Sequence, residues 1–175
     1  MEQYMEKVAP YYHRYMNLVK EKDILTQLKK SINETLALLS TISEEESLFA
    51  YAPGKWTMKE VVGHMIDAEQ IFAYRTLRVA RKDKHNLASF EENDYVRVAH
   101  FNDIKWTDLL HQFKLLREYN LALFATFNDE DLQQEGMANG HVTNVKGLLY
   151  IMAGHELHHV NVIRERYLKK EERLN

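Results

Sequence analysis

The sequence predicts an all-α protein, a four-helix bundle formed as a single domain over residues 1–175. Three observations carry that expectation. Four long segments repeat apolar residues at the three- and four-residue spacing of a helix that buries one face. No comparable run alternates apolar and polar residues as a half-buried strand does. One connection, residues 82–104, lacks a strong apolar period and is long enough to run the length of a bundle. The helices on either side of it are then parallel, which gives up-down-down-up order.

The elements follow in chain order. Residues 1–20 carry Met1, Tyr4, Met5, Tyr11, Tyr12, Tyr15 and Met16 and read as an arm with a short helical piece. Its tyrosines are expected to pack on the body rather than line a cleft. Asp23 is an N-cap for the first long helix, in which Ile24, Leu28, Ile32, Leu36 and Leu39 recur at helical spacing to about Ile42. Ser43 to Ser47 breaks the stripe with a run of glutamates, most simply a solvated turn. Pro53-Gly54 marks a loop. Thr57-Met58-Lys59-Glu60 is a capping box that opens the second long helix, expected to reach about Arg81. Its inward stripe is Val61, Met65, Ala68, Phe72 and Val79, and His64 shares that face. In the long connection, Phe90 to Tyr95 mixes aromatic and acidic residues, which suggests an ordered loop near a functional site. The third helix starts near Lys105 or Trp106 and carries Leu109, Phe113, Leu116 and Phe124 inward, with His111 off the stripe. Gly136 to Val142, including Asn139-Gly140, is a turn-rich connection, and Thr143 or Asn144 caps a last helix running to about Lys170.

Composition narrows the function classes. Hydrophobic residues make up 45%, charged ones 28%, and the formal net charge is −3. That is a globular composition, without the basic footprint of a nucleic-acid-binding protein. No signal peptide or apolar run of transmembrane length is visible, so a cytoplasmic protein without a membrane partner is expected. There are no cysteines. Any metal must therefore be held by His, Asp, Glu or water.

The stretch Gly154-His155-Glu156-Leu157-His158-His159 is the densest concentration of chemistry in the chain. On a helix His155 and His159 lie one turn apart, with Cβ atoms about 5–6 Å from each other. Two imidazoles so placed can bind one ion, and both lie on or beside the apolar stripe. His158 points away by about 60–100° and is expected outside the set. The same residues match His-Glu-x-x-His, a zinc-protease motif. Its extended form requires a glycine and a histidine where this chain has Val162 and Glu165. The segment after His159 continues the same helix, so the third ligand is expected upstream. His64 is the candidate: it faces inward, and it follows Gly63 as His155 follows Gly154. Glycine inside a helix costs about 1 kcal/mol relative to alanine, and two such glycines beside inward histidines suggest that neighbouring helices approach closely there. Three protein ligands leave an open position, as in catalytic rather than structural zinc sites. Glu156 is the nearest candidate general base, or else a hydrogen-bond partner of a ligand. Arg75, Asn93 and Tyr95 are weaker candidates for the cleft.

The run Gly54-Lys55-Trp56-Thr57-Met58-Lys59-Glu60, then Gly63-His64 with Asp67 and Glu69, then Gly154 to His159, resembles the DinB-like (DinB/YfiT) superfamily. The likeness extends from about Pro10 to Leu168. It implies a four-helix bundle with up-down-down-up topology and a divalent metal, nickel or zinc, on His64, His155 and His159. Members of that superfamily often dimerise, so a homodimer is implied. Characterised members include thiol S-transferases that use low-molecular-weight thiols, a mycothiol-dependent isomerase and proteins described as metal-dependent hydrolases. The resemblance thus implies a metal-dependent enzyme, hydrolase or thiol S-transferase in type, acting on a small-molecule substrate with a possible thiol cosubstrate. The alternative is a non-enzymatic metal-binding or interaction protein of the stress response.

Overall fold

Each long helix begins where a side chain can satisfy its first free amides, and these caps set the frame of the computed structural model, which describes residues 2–20 and 23–169. Helix α1 (Ile24–Leu39) is capped by Asp23, whose carboxylate accepts from the Leu25 amide. Helix α2 (Met58–Ala80) opens with both halves of the Thr57/Glu60 capping box. Helix α4 (Val145–Val162) is capped by Asn144, which accepts from the Gly147 amide at 2.7 Å. Helix α3 (Trp106–Phe124) has no cap from its own flank. Glu44, in the short helix Glu44–Ser47, supplies one by accepting from the Trp106 amide at 2.7 Å. The glutamate run read as a solvated turn thus contributes two contacts through Glu44, this one and an ion pair with Lys59 of α2. α4 closes with a five-residue π turn, Ile163–Tyr167. Leu168 and Lys169 are not helical, so the helix stops short of the expected end near Lys170, a residue that, like Met1 of the arm, lies outside the described residues.

Contacts at the helix ends establish the order of directions. The start of α3 lies beside the end of α1, where the Trp106 indole donates to the Leu39 carbonyl. It also lies beside the start of α2, where the Lys59 ammonium donates to the Ile104 carbonyl and Thr57 bonds Asn102. The end of α4 reaches the same level, with the Tyr167 hydroxyl donating to the Trp56 carbonyl. So α1 and α4 run one way, α2 and α3 the other: an all-α four-helix bundle in up-down-down-up order. α1 and α2 each pack against both α3 and α4.

The connection between α2 and α3 is ordered, with a short helix at Glu92–Ala99 and a 3-10 turn at Phe101–Asp103. It also supplies β1 (Asn86–Leu87), which pairs in parallel with β2 (Glu135–Ala138), itself antiparallel to β3 (His141–Asn144). This three-stranded sheet was not expected. Its strands are too short to show a two-residue period, but one signal was present. Asn139 and Gly140 both have positive φ, 52° and 74°, the backbone of the tight hairpin turn that Asn-Gly favours.

Two apolar clusters fill the bundle. One holds Leu28, Phe72, Phe124, Leu149 and Met16 of the arm. The other holds Ile32, Val62, Leu109, Phe113 and Ile163. A middle layer lies where one cluster gives way to the other: Arg117 and Asn120 on α3 and His155 and Glu156 on α4 fall between the two, His64 and Glu69 on α2 flank the change from Ile66 to Ala68, and all six are buried.

Candidate metal centre

The middle layer brings the three expected histidines together. His64 projects from α2, and His155 and His159 project from successive turns of α4. The Nε2 atoms of His64 and His155 are 3.1 Å apart, as are those of His155 and His159. One ring nitrogen from each of the three lies within 4.8 Å of the other two. Two nitrogens bound to one ion at about 2.0–2.1 Å, at tetrahedral or octahedral angles, would be about 2.9–3.4 Å apart. The two short separations fall in that interval. No further His, Asp, Glu or Cys completes the group among the described residues. His158 stands outside it, stacked edge-on against Tyr15 at 5.3 Å.

Electrostatics prepares the imidazoles as ligands. Burial lowers the His64 pKa to about 4, with a smaller contribution from His158. Burial also pushes His155 and His159 well below the ordinary value, and neighbouring histidines add to it. All three are therefore neutral at pH 7 and offer lone pairs, the form a divalent ion binds. A set of neutral, convergent nitrogens with no carboxylate fits a borderline transition metal such as zinc or nickel.

The two glycines have specific partners. A Cβ on Gly154 would lie 2.1 Å from the Tyr15 carbonyl oxygen, and one on Gly63 would lie 2.4 Å from the Phe101 ring. The close approach expected of neighbouring long helices is instead that of the N-terminal arm and the α2–α3 connection. Both segments are pressed onto the histidine-bearing turns. Tyr15 of the arm thereby meets His155 at a ring separation of 5.4 Å, while Trp56, from the loop before α2, meets His64 at 5.0 Å. Neither aromatic was singled out from spacing. Tyr15 read as packing, and it does pack, but on a ligand; Trp56 was visible only through the resemblance.

Glu156, the candidate general base or hydrogen-bond partner of a ligand, has partners on two other helices. It is 2% exposed, and both carboxylate oxygens are taken. The Thr35 and Ser31 hydroxyls each donate at 2.7 Å, and Arg117 Nη1 pairs with it at 2.9 Å. Arg117 also holds Glu69 through two nitrogens, at 2.8 and 2.6 Å. Burial disfavours the Arg117 cation, but Glu156 and Glu69 outweigh that and raise its pKa. Glu156 and Glu69 thus tie α4 and α2 to α1 and α3. The helical twist between adjacent residues, about 100°, directs Glu156 into this network while His155 faces the other histidines.

Two openings reach the histidines. A cavity of about 310 Å³ is lined by His159, His158, Trp56, Lys55 and Asn93. A smaller one, about 60 Å³, touches His64 and His155 and is bounded by Tyr11, Tyr12, Phe90 and Glu92. The arm tyrosines therefore do line a cleft as well as pack. The connection contributes to both openings, as its aromatic and acidic content suggested. Tyr95 is exposed, and Arg75 lies further along α2.

Comparison with known proteins agrees with this architecture. A family model described as the DinB superfamily matches residues 27–163. No curated protein matches the sequence. Among solved structures, the chain is similar to YfiT from Bacillus subtilis, described as a probable metal-dependent hydrolase with an unusual four-helix bundle topology. The identity is 17%, the TM-score 0.71, and the match covers 84% of this chain and 87% of that one. A mycothiol-dependent maleylpyruvate isomerase is also similar, with 11% identity and a TM-score of 0.67 over 83% of this chain. The match spans only 61% of that isomerase. At these identities the likeness is one of fold.

Proposed function

The chain belongs to the DinB superfamily, and on that premise we propose that it is a divalent-metal-dependent enzyme acting on a small molecule, of hydrolase or thiol S-transferase type. One observation carries the reading: three buried or half-buried imidazoles converge beside open cavities, with no fourth side-chain ligand among the described residues. Zinc and nickel are the ions we propose, on His64, His155 and His159. When bound, the ion would supply Lewis acidity toward a water in hydrolysis, or toward a low-molecular-weight thiol in transfer.

The chain's own groups do the rest. Burial keeps the imidazoles unprotonated. Trp56 and Tyr15 cover the ligand rings and limit water on their flanks. Lys55 and Asn93 line the larger cavity beside His159 and can donate hydrogen bonds that orient a polar substrate group. Glu156 holds α4 in register with α1 through Ser31 and Thr35, which positions His155 and His159. The proposal includes a cytoplasmic homodimer without nucleic-acid or membrane partners. No helix among the described residues is long and apolar enough to cross a membrane.

The test is a paired assay of tag-free protein, loaded with zinc or nickel and stripped of metal. Ester hydrolysis and conjugation of glutathione or cysteine to electrophiles are followed. The expected result is an activity that needs the ion and falls by about 100-fold or more in His159→Ala, in line with loss of a metal-held reacting group. A loaded protein inactive in both assays would favour the non-enzymatic metal-binding alternative.

A further inference from the structure

A buried guanidinium with no ion-pair partner among the described residues lies along the histidine cleft. Arg75 is 3% exposed. Arg117, the other arginine among the buried polar residues, is paired with Glu69 and Glu156. Arg75 makes one hydrogen bond, from Nη2 to the Ala88 carbonyl at 2.6 Å, and has no carboxylate partner among the described residues. A buried arginine normally has a counter-charge. Its planar fork of N–H donors matches a carboxylate with two parallel bonds. The Ala88 contact fixes the group against the connection and uses one of five donors.

The surroundings lead from this cation to the histidines. Arg75 lines a cavity of about 360 Å³ together with Tyr11, Tyr12, Phe90 and Glu92. The same four residues bound the small cavity that touches His64 and His155. The two spaces are adjoining parts of one cleft. On α2, Arg75 follows His64 by about 16 Å of helix axis. Long helical side chains lean toward the N-terminus, which shortens the separation between the guanidinium and the imidazoles.

We propose that this cleft binds a monocarboxylic acid, its carboxylate held by Arg75, its apolar body between Tyr11, Tyr12 and Phe90, and its reacting end at the histidines. The inference rests on the reading that the histidine centre acts on a small molecule, and it names that molecule's class. Glu92 decides between acids. It is half-buried, has no ion-pair partner among the described residues, and borders both cavities. Its charge opposes a second negative group on the ligand and disfavours a phosphate dianion.

The test uses the full chain and a series of ω-phenylalkanoates, from phenylacetate to 6-phenylhexanoate, each beside its neutral amide. Binding is measured by titration calorimetry for wild type, Arg75→Gln and Arg75→Lys, with and without zinc. At least one acid is expected to bind wild type roughly 10- to 100-fold more tightly than its amide, the range for a hydrogen-bonded charge. Arg75→Gln abolishes that preference, and Arg75→Lys, which keeps the charge but not the fork, retains only part of it. Zinc stoichiometry stays the same in all three proteins. Wild type with no acid preferred over its amide overturns the proposal, as does a preference that persists in folded Arg75→Gln. If Arg75→Gln does not fold, an undiminished preference in Arg75→Lys overturns it instead. Failure of wild type to bind zinc defeats the metal reading, while the acid–amide comparison on metal-free protein still decides this one.

Discussion

His64 ties the centre together, because it supplies the ring nitrogen that α2 adds to the two from α4. Its neutrality has a consequence for stability. Burial holds its pKa at about 4 against an ordinary 6.5. As pH falls below 6.5 the unfolded chain binds the proton first, so stability present at neutral pH is lost progressively toward pH 4. His155 and His159 are shifted in the same direction and add to the effect. Metal-free protein is therefore expected to show urea midpoints that drop steadily between pH 7 and pH 4.5. A flat profile would mean that these imidazoles protonate as readily folded as unfolded. Glu156 shows what residue-level reading of a sequence lacks. Spacing indicated that its neighbour His155 faces the other histidines, but adjacency along the chain carried no sign of the partners of the carboxylate. Its partners Ser31, Thr35 and Arg117 come from helices far away in sequence.

At the scale of elements, the arm and the α2–α3 connection complete a centre that the long helices begin. Gly154 and Gly63 mark where each lands, and they differ in tolerance. The obstacle at Gly63 is a side chain, Phe101, which can rotate. At Gly154 it is the Tyr15 backbone, which can move only with the arm. Gly154→Ala is expected to lower stability by about 1–3 kcal/mol, the scale of overpacking. It should also raise hydrogen exchange across residues 10–16 while α2 stays protected. Unchanged exchange in the arm would show that the contact is slack. The sequence marked both glycines as close approaches, but it carried no local signal for which segment approaches. The small sheet escaped for a related reason: β1 and β2 are separated by the whole of α3, and their pairing is a long-range event.

For the whole molecule, the amphipathic period and the caps at Asp23, Thr57 and Asn144 made the four helices legible, with starts correct within a residue or two. The length of the connection made their order legible. The three histidines were found because one pair shares a helix face and the third shares an inward stripe. Cavities were not legible, since each is assembled from three or more separated segments. The proposed chemistry depends on these histidines holding one ion. The most direct measurement is elemental analysis of tag-free protein after incubation with zinc or nickel and removal of excess, for wild type, His64→Ala and His159→Ala. One ion per chain in wild type, lost in both variants while their helical circular dichroism is unchanged, is the predicted result. A wild type that retains no metal, or folded variants that retain it fully, would contradict the assignment.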